Sequence, residues 1–192
     1  MIDGGFRDQS QVERIRERLW SGRDFGRASV MVGAGFSRNA ERGSPDVPIF
    51  PLWGEIAGAM YDALYPSGSV GEAAREGDKK ARTAGVGAMR LASEYETTFG
   101  PQALDDLLTR AIPDDRYEPG PVHETLLSLP WSDVFTTNYD TLLERTRGAV
   151  HERKYDLVLA PPDVPAQSRP RIVKLHGSFP SHRPFVTTEE DF

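Results

Sequence analysis

Hydrophobic and polar positions alternate along this chain in short blocks of two different periods. After Ser10-Gln11-Val12-Glu13, which has the pattern of a capping box, Val12, Ile15 and Leu19 recur at helical spacing before Gly22. This predicts a short amphipathic helix lying against the core. Ala28-Ser29-Val30-Met31-Val32 is an apolar run that ends in Gly33-Ala34-Gly35, the pattern of a buried strand entering a tight turn. Pro45, Pro48 and Pro51 make Ser44 to Pro51 a loop, because each lacks an amide proton and restricts the residue before it. Trp53, Ile56, Ala57, Met60, Ala63 and Leu64 follow a 3.6 period as far as Pro66-Ser67-Gly68, predicting a core-facing helix. Gly68 to Gly87 is rich in glycine and charge with little periodicity, and reads as a mobile or inserted segment. Helices are predicted over Met89 to Phe99, Gln102 to Ile112 and about Val122 to Leu129, punctuated by Gly100-Pro101 and Pro130.

Ser132 to Thr137 has β-forming character, and Tyr139 to Arg147 reads as the helix after it, with Leu142 and Leu143 facing inward. Ala160 to Pro170 holds Pro161, Pro162, Pro165 and Pro170 and reads as a surface loop. Arg171 to Leu175 is then a strand ending at His176-Gly177-Ser178, and Phe185-Val186-Thr187 is predicted as one more short strand. Strands separated by helices give an α/β fold class: a Rossmann-like parallel sheet with flanking helices and a helical module over 54–130, within a single domain of 1–192. In open α/β sheets ligands sit beyond the carboxyl ends of the strands. Gly33-Ala34-Gly35, Asn138-Tyr139-Asp140 and His176-Gly177 all fall where a predicted strand finishes, so one crevice would collect all three.

Composition narrows the chemistry. With 38% apolar and 27% charged residues, the chain has ordinary globular usage and enough apolar material for a real core. A formal charge of −6 argues against a broad phosphate-neutralising surface, so direct nucleic-acid binding is not expected. With no cysteine, the chain can form no disulfide, thiolate zinc site or iron–sulfur site, and four scattered histidines do not rebuild one; no metal is expected. Met1-Ile2-Asp3-Gly4-Gly5 lacks the basic start and apolar run of a secretory signal, which points to the cytoplasm. Apolar runs of a few residues fall far short of the roughly 20 that a spanning helix needs.

Each strand-end motif has a structural and a functional reading. Gly33 and Gly35 allow positive φ and close approach of a pyrophosphate to backbone amides, with Ser37 adding a hydroxyl; equally, the turn needs only small residues. Arg38 stands where the Rossmann fingerprint has its last glycine, and no acidic strand end follows about 20 residues on. Thr137 to Asp140 approximates a capping box, yet Asn138 also suits a ribose hydroxyl or water, and Asp140 a carboxamide NH₂. His176 is either a satisfied structural histidine or a base able to take a proton near neutral pH. His123, His151 and His182 lack the strand-end setting and read as structural.

Together, Val32-Gly33-Ala34-Gly35-Phe36-Ser37, Thr136-Thr137-Asn138-Tyr139-Asp140 and Lys174-Leu175-His176-Gly177-Ser178 resemble, in that order, the nucleotide motifs of the sirtuin family. The similarity is greatest to its zinc-free bacterial branch in antiphage defence, where a segment similar to Phe185 through Phe192 follows. The resemblance runs from about Ser29 to the end and implies NAD⁺ as substrate. It implies that Gly33, Ala34, Gly35 and Ser37 contact the pyrophosphate, Asn138 the nicotinamide ribose and its water, Asp140 the carboxamide, and that His176 is the base. The implied activity is NAD⁺ hydrolysis by a defence effector that depletes NAD⁺ when activated; the alternative is a catalytically silent NAD⁺ or ADP-ribose sensor gating a partner. Homo-oligomers and a HerA-type ATPase partner belong to the same implication. Two departures stand out. The cysteine-ligated zinc module of deacylating sirtuins is impossible here, which disfavours deacylation, and only Pro45-Asp46 echoes the family's proline–aspartate element, leaving Asp46 a lid residue without a transferred role. Such domains usually continue into another strand and loop, so the chain is read as part of a longer domain.

Overall fold

Three β-branched runs that end in glycine or in a polar turn become neighbouring strands. In the computed structural model, which describes residues 7–68, 71–151, 153–180, 185–188 and 190–191, β1 (Ser29–Val32), β4 (Asp133–Thr136), β5 (Asp156–Val158) and β6 (Arg171–Lys174) form a four-stranded parallel sheet in the order β1-β4-β6-β5. The register sets Val30 beside Val134 and Val134 beside Ile172, and the last two are fully buried. A second, two-stranded sheet pairs β2 (Glu41–Arg42) with β3 (Tyr117–Glu118) in antiparallel fashion. The α/β, Rossmann-like class expected from the sequence is the one observed.

The connection from β1 to β4 carries most of the helices: α2 (Ala34–Ser37), α3 (Trp53–Leu64), α4 (Glu72–Arg82), α5 (Val86–Phe99), α6 (Pro101–Ala111) and α7 (Pro121–Ser128). Gly100, at φ +89°, breaks α5 from α6 in a conformation that suits glycine, and Pro101 then opens α6 where its missing amide proton costs nothing. α3 packs on α5 and α5 on α6, burying Ile56, Met60, Leu104 and Leu108, each large aliphatic side chain contributing about 1.5–3 kcal/mol by leaving water. A separate cluster under the sheet joins Val134 and Ile172 to Leu126 and Leu127 of α7 and Leu143 of α8 (Leu142–Ala149).

Four expectations are corrected. α1 (Gln9–Leu19) forms, but only Leu19 is buried, while Val12 and Ile15 are 55% and 51% exposed; amphipathic spacing gives a helix an apolar stripe without supplying a surface to cover it. The segment read as mobile or inserted contains α4, whose first turn carries Glu72 and last turn Lys79, Lys80 and Arg82, matching the helix dipole. Arg75 anchors it, nearly buried between Asp62 at 2.5 Å and the Tyr65 carbonyl at 3.0 Å. The helix placed from Tyr139 begins three residues later, at Leu142. Residues 185–187 are irregular instead of a strand; Val186 donates its amide to the His176 carbonyl at 3.1 Å and Phe185 is buried. His182 lies outside the described residues. Among them, no helix is long and apolar enough to cross a membrane.

The contrast between sheet and α1 is measurable. Ile172→Ala, at the centre of the sheet, should lower unfolding stability by about 2–5 kcal/mol, whereas Ile15→Ser on α1 should change it by no more than about 0.5 kcal/mol. Urea midpoints of the two variants check both.

Candidate functional site

β1 leaves the sheet at Val32, and Gly33 follows in extended backbone (φ −134°, ψ −170°). Neither Gly33 nor Gly35 has positive φ, so the left-handed conformation expected of the glycine turn is not what these positions use. What they leave is room: a Cβ on Gly35 would meet no protein atom within 4 Å. The turn closes into α2, where Ser37 is buried against the end of β4.

There the side chains form a directed chain of hydrogen bonds. Asn138 Nδ2 donates to Ser37 Oγ at 2.7 Å, and Ser37 Oγ donates to Asp140 Oδ2 at 2.7 Å. Asp140 Oδ1 accepts from the Leu142 amide at 3.2 Å, so Asp140 caps the start of α8 from just outside it; a capping box from Thr137 does not form. Burial raises the pKa of the Asp140 carboxyl, opposed by the Lys174 ammonium and the Ser37 hydroxyl. Lys174, at the end of β6, is itself buried, pairs with Glu144 Oε1 at 2.9 Å and donates to the Asp140 carbonyl.

Beyond these strand ends lies a cavity of about 320 Å³. One side is lined by Ala34, Thr137, Asn138, Tyr139, Asp140 and His176, the other by Phe50, Pro51, Trp53, Ile56, Met89 and Ile112, with Val186 and Thr187 at its margin. Gly33, Gly35 and Ser37 stand outside that lining. The structure thus brings Asn138, Asp140 and His176 together from β4 and β6, with Ala34 arriving from β1. Asp46 is elsewhere, held by Ser44 and by Arg116 at 2.6 Å. His123 is buried, accepts from the Gly120 amide at 3.2 Å and packs edge-on to Phe36; His151 is exposed.

Burial holds the His176 imidazole below its ordinary pKa, partly opposed by the Asp191 carboxylate, leaving a neutral base near neutral pH. Tyr139 is a wall residue: its hydroxyl donates to the Val186 carbonyl at 2.7 Å, its ring lies near His176 and Phe185, and burial pushes its phenol far above the usual range. Sequence reasoning missed the aromatic and aliphatic wall, whose members come from a loop, from α3 and α5, and from the residue that follows α6. It also missed Asp191, which accepts from the Thr187 and Thr188 amides at 2.8 Å. The Thr188-to-Asp191 spacing, that of a capping box, carried a signal for it. Among the described residues no cluster of three or more His, Asp or Glu could hold a metal ion.

A family profile described as a SIR2-like domain matches residues 132–192, the stretch that carries Asn138, Asp140 and His176. The chain is also 27% identical over 173 residues to Defense-associated sirtuin 2 of Bacillus subtilis, an alignment that covers 90% of this chain and 15% of that protein. It therefore spans about 15% of the length of the relative it matches. These similarities agree with the sirtuin-like order of the three motifs.

His123 and His176 both lie below their ordinary pKa, chiefly through burial. The unfolded chain therefore takes protons more readily, and the stability these groups contribute is present above about pH 6.5 and lost as pH falls through their folded values. The thermal midpoint should drop on acidification below about pH 6.5, and His123→Gln should flatten that drop. An unchanged acid limb in the variant would remove His123 as a cause.

Proposed function

We propose that this sirtuin-like chain is an NAD⁺ hydrolase, releasing nicotinamide and leaving ADP-ribose. The observation that carries the reading is that Asn138 and His176, from the ends of the adjacent strands β4 and β6, line one cavity beside Ala34 at the end of β1. Cleavage of the N-glycosidic bond sends its electron pair to the nicotinamide nitrogen and leaves positive charge on the ribose; a water oxygen bonds to the anomeric carbon and gives up a proton. A neutral His176 is suited to receive that proton, from the water or through a ribose hydroxyl, and Asn138 to hold the ribose and water in line. The apolar wall of Trp53, Ile56, Met89 and Ile112 seats a flat neutral ring and keeps out bulk water, which strengthens each polar contact inside. The open space at Gly35 leaves a path for the diphosphate along the backbone. A role in defence is supported by the relative's name; its antiphage character, self-association and an ATPase partner of the HerA type are supported by the motif resemblance.

Incubation with NAD⁺ should yield free nicotinamide, and His176→Ala and Asn138→Ala should each lower the rate by about 10²–10⁴ while the fold persists. The rate should fall on the acid side at a pKa below that of a free imidazole, about 6.5. NAD⁺ bound without turnover under activating conditions would replace the enzyme with a sensor of NAD⁺ or ADP-ribose.

A further inference from the structure

Ser37, Asn138 and Asp140 form a chain whose direction matters. Ser37 Oγ carries one proton, and that proton is directed to Asp140 Oδ2 at 2.7 Å. The hydroxyl can then only accept from Asn138, which turns its NH₂ inward at 2.7 Å. Asn138 is 9% exposed and lines the cavity, so Oδ1 is the side-chain acceptor it has left for a ligand. As a carboxylate Asp140 has no proton with which to reverse this arrangement: Oδ2 accepts from Ser37 and Oδ1 from the Leu142 amide at 3.2 Å.

We infer that Asp140 is a positioning residue that acts through Ser37 to fix the Asn138 amide with its carbonyl oxygen toward the cavity, selecting a ligand that presents a hydroxyl or water donor there. Its carboxylate serves Asn138 through Ser37 and the start of α8 through the Leu142 amide. Ser37, bonded on both sides and 1% exposed, likewise serves Asn138 instead of a diphosphate. The consequence for turnover rests on the hydrolase reading; the hydrogen-bond direction does not.

Asp140→Asn separates this inference from direct contact. The buried Leu142 amide requires an acceptor, so the new side chain must keep its oxygen there and turn its NH₂ toward Ser37. Among the described residues Ser37 Oγ has no third side-chain partner, so its proton is then redirected to Asn138, which flips and presents NH₂ to the cavity. The isosteric change thus inverts what the ligand meets, whereas Ser37→Ala only releases the amide. Asp140→Asn should therefore lose about tenfold or more turnover beyond Ser37→Ala. Adding Ser37→Ala to Asp140→Asn should restore turnover to the Ser37→Ala level, because the inverted signal has no route. A double variant as slow as Asp140→Asn alone would overturn the inference in favour of direct contact with the ligand.

An arm without NAD⁺ accompanies it. The chain has two asparagines, Asn39 and Asn138, so nitrogen-15 asparagine labelling gives two side-chain amides, of which Asn39 is exposed. The Asn138 amide protons should exchange slowly with solvent in the parent chain and about tenfold faster in Ser37→Ala. Equal exchange in the two would overturn the hydrogen-bond direction. If the parent chain releases no nicotinamide, the hydrolase reading falls and this arm alone decides the relay, as it does if Asp140→Asn fails to fold.

Discussion

The ammonium of Lys174 is the constraint on which the strand ends depend. Its side chain is 1% exposed, and a charge so far from water persists only when paired and hydrogen-bonded. Glu144 supplies the countercharge from α8, and Ser178, just past the left-handed Gly177, donates to the same carboxylate oxygen at 2.9 Å. The Asp140 carbonyl takes a further ammonium proton. One cation at the end of β6 thereby fixes the entry to α8, the polar turn after β6, and the backbone from which the Asp140 side chain reaches Ser37. Breaking such a pair from one side typically costs about 3–5 kcal/mol, and here it would loosen the site along with the fold.

What could be read from the sequence follows what local pattern encodes. β1, β4 and β6 were legible because buried parallel strands are short β-branched runs that end at glycine or polar turns. β5 was not, since three residues, Asp156 to Val158, give no period to count. α4 escaped because its anchor is an arginine: Arg75 buries its stem among partners that a hydrophobic pattern does not register. The exposed stripe of α1 and the irregular 185–187 fail for a related reason, as pattern reports what a segment offers and not which surface lies opposite.

The same division runs through the site. Asn138 and His176 were found from their place at strand ends, a local property. The bond between Ser37 and Asp140 joins positions far apart in the chain and exists because β1 and β4 pair with Val32 beside Thr136. Register of that kind is set by packing. So is the electrostatic character of the site: the low pKa of His176 and the high one of Tyr139 both arise chiefly from burial, which single residues in a sequence do not display.

The cavity lies on a seam. Its hydrogen-bonding side is built from residues at the ends of β1, β4 and β6, and its apolar side from a loop and the helices between β1 and β4. The two sides come from different stretches of chain. Substitutions at Ile56, Met89 or Ile112 can reshape the volume offered to a ligand while the donors and acceptors at the strand ends keep their places. The architecture thus lets reactivity and ligand shape drift independently over evolutionary time, with Tyr139, which touches both, as the position where a change in one must be reconciled with the other.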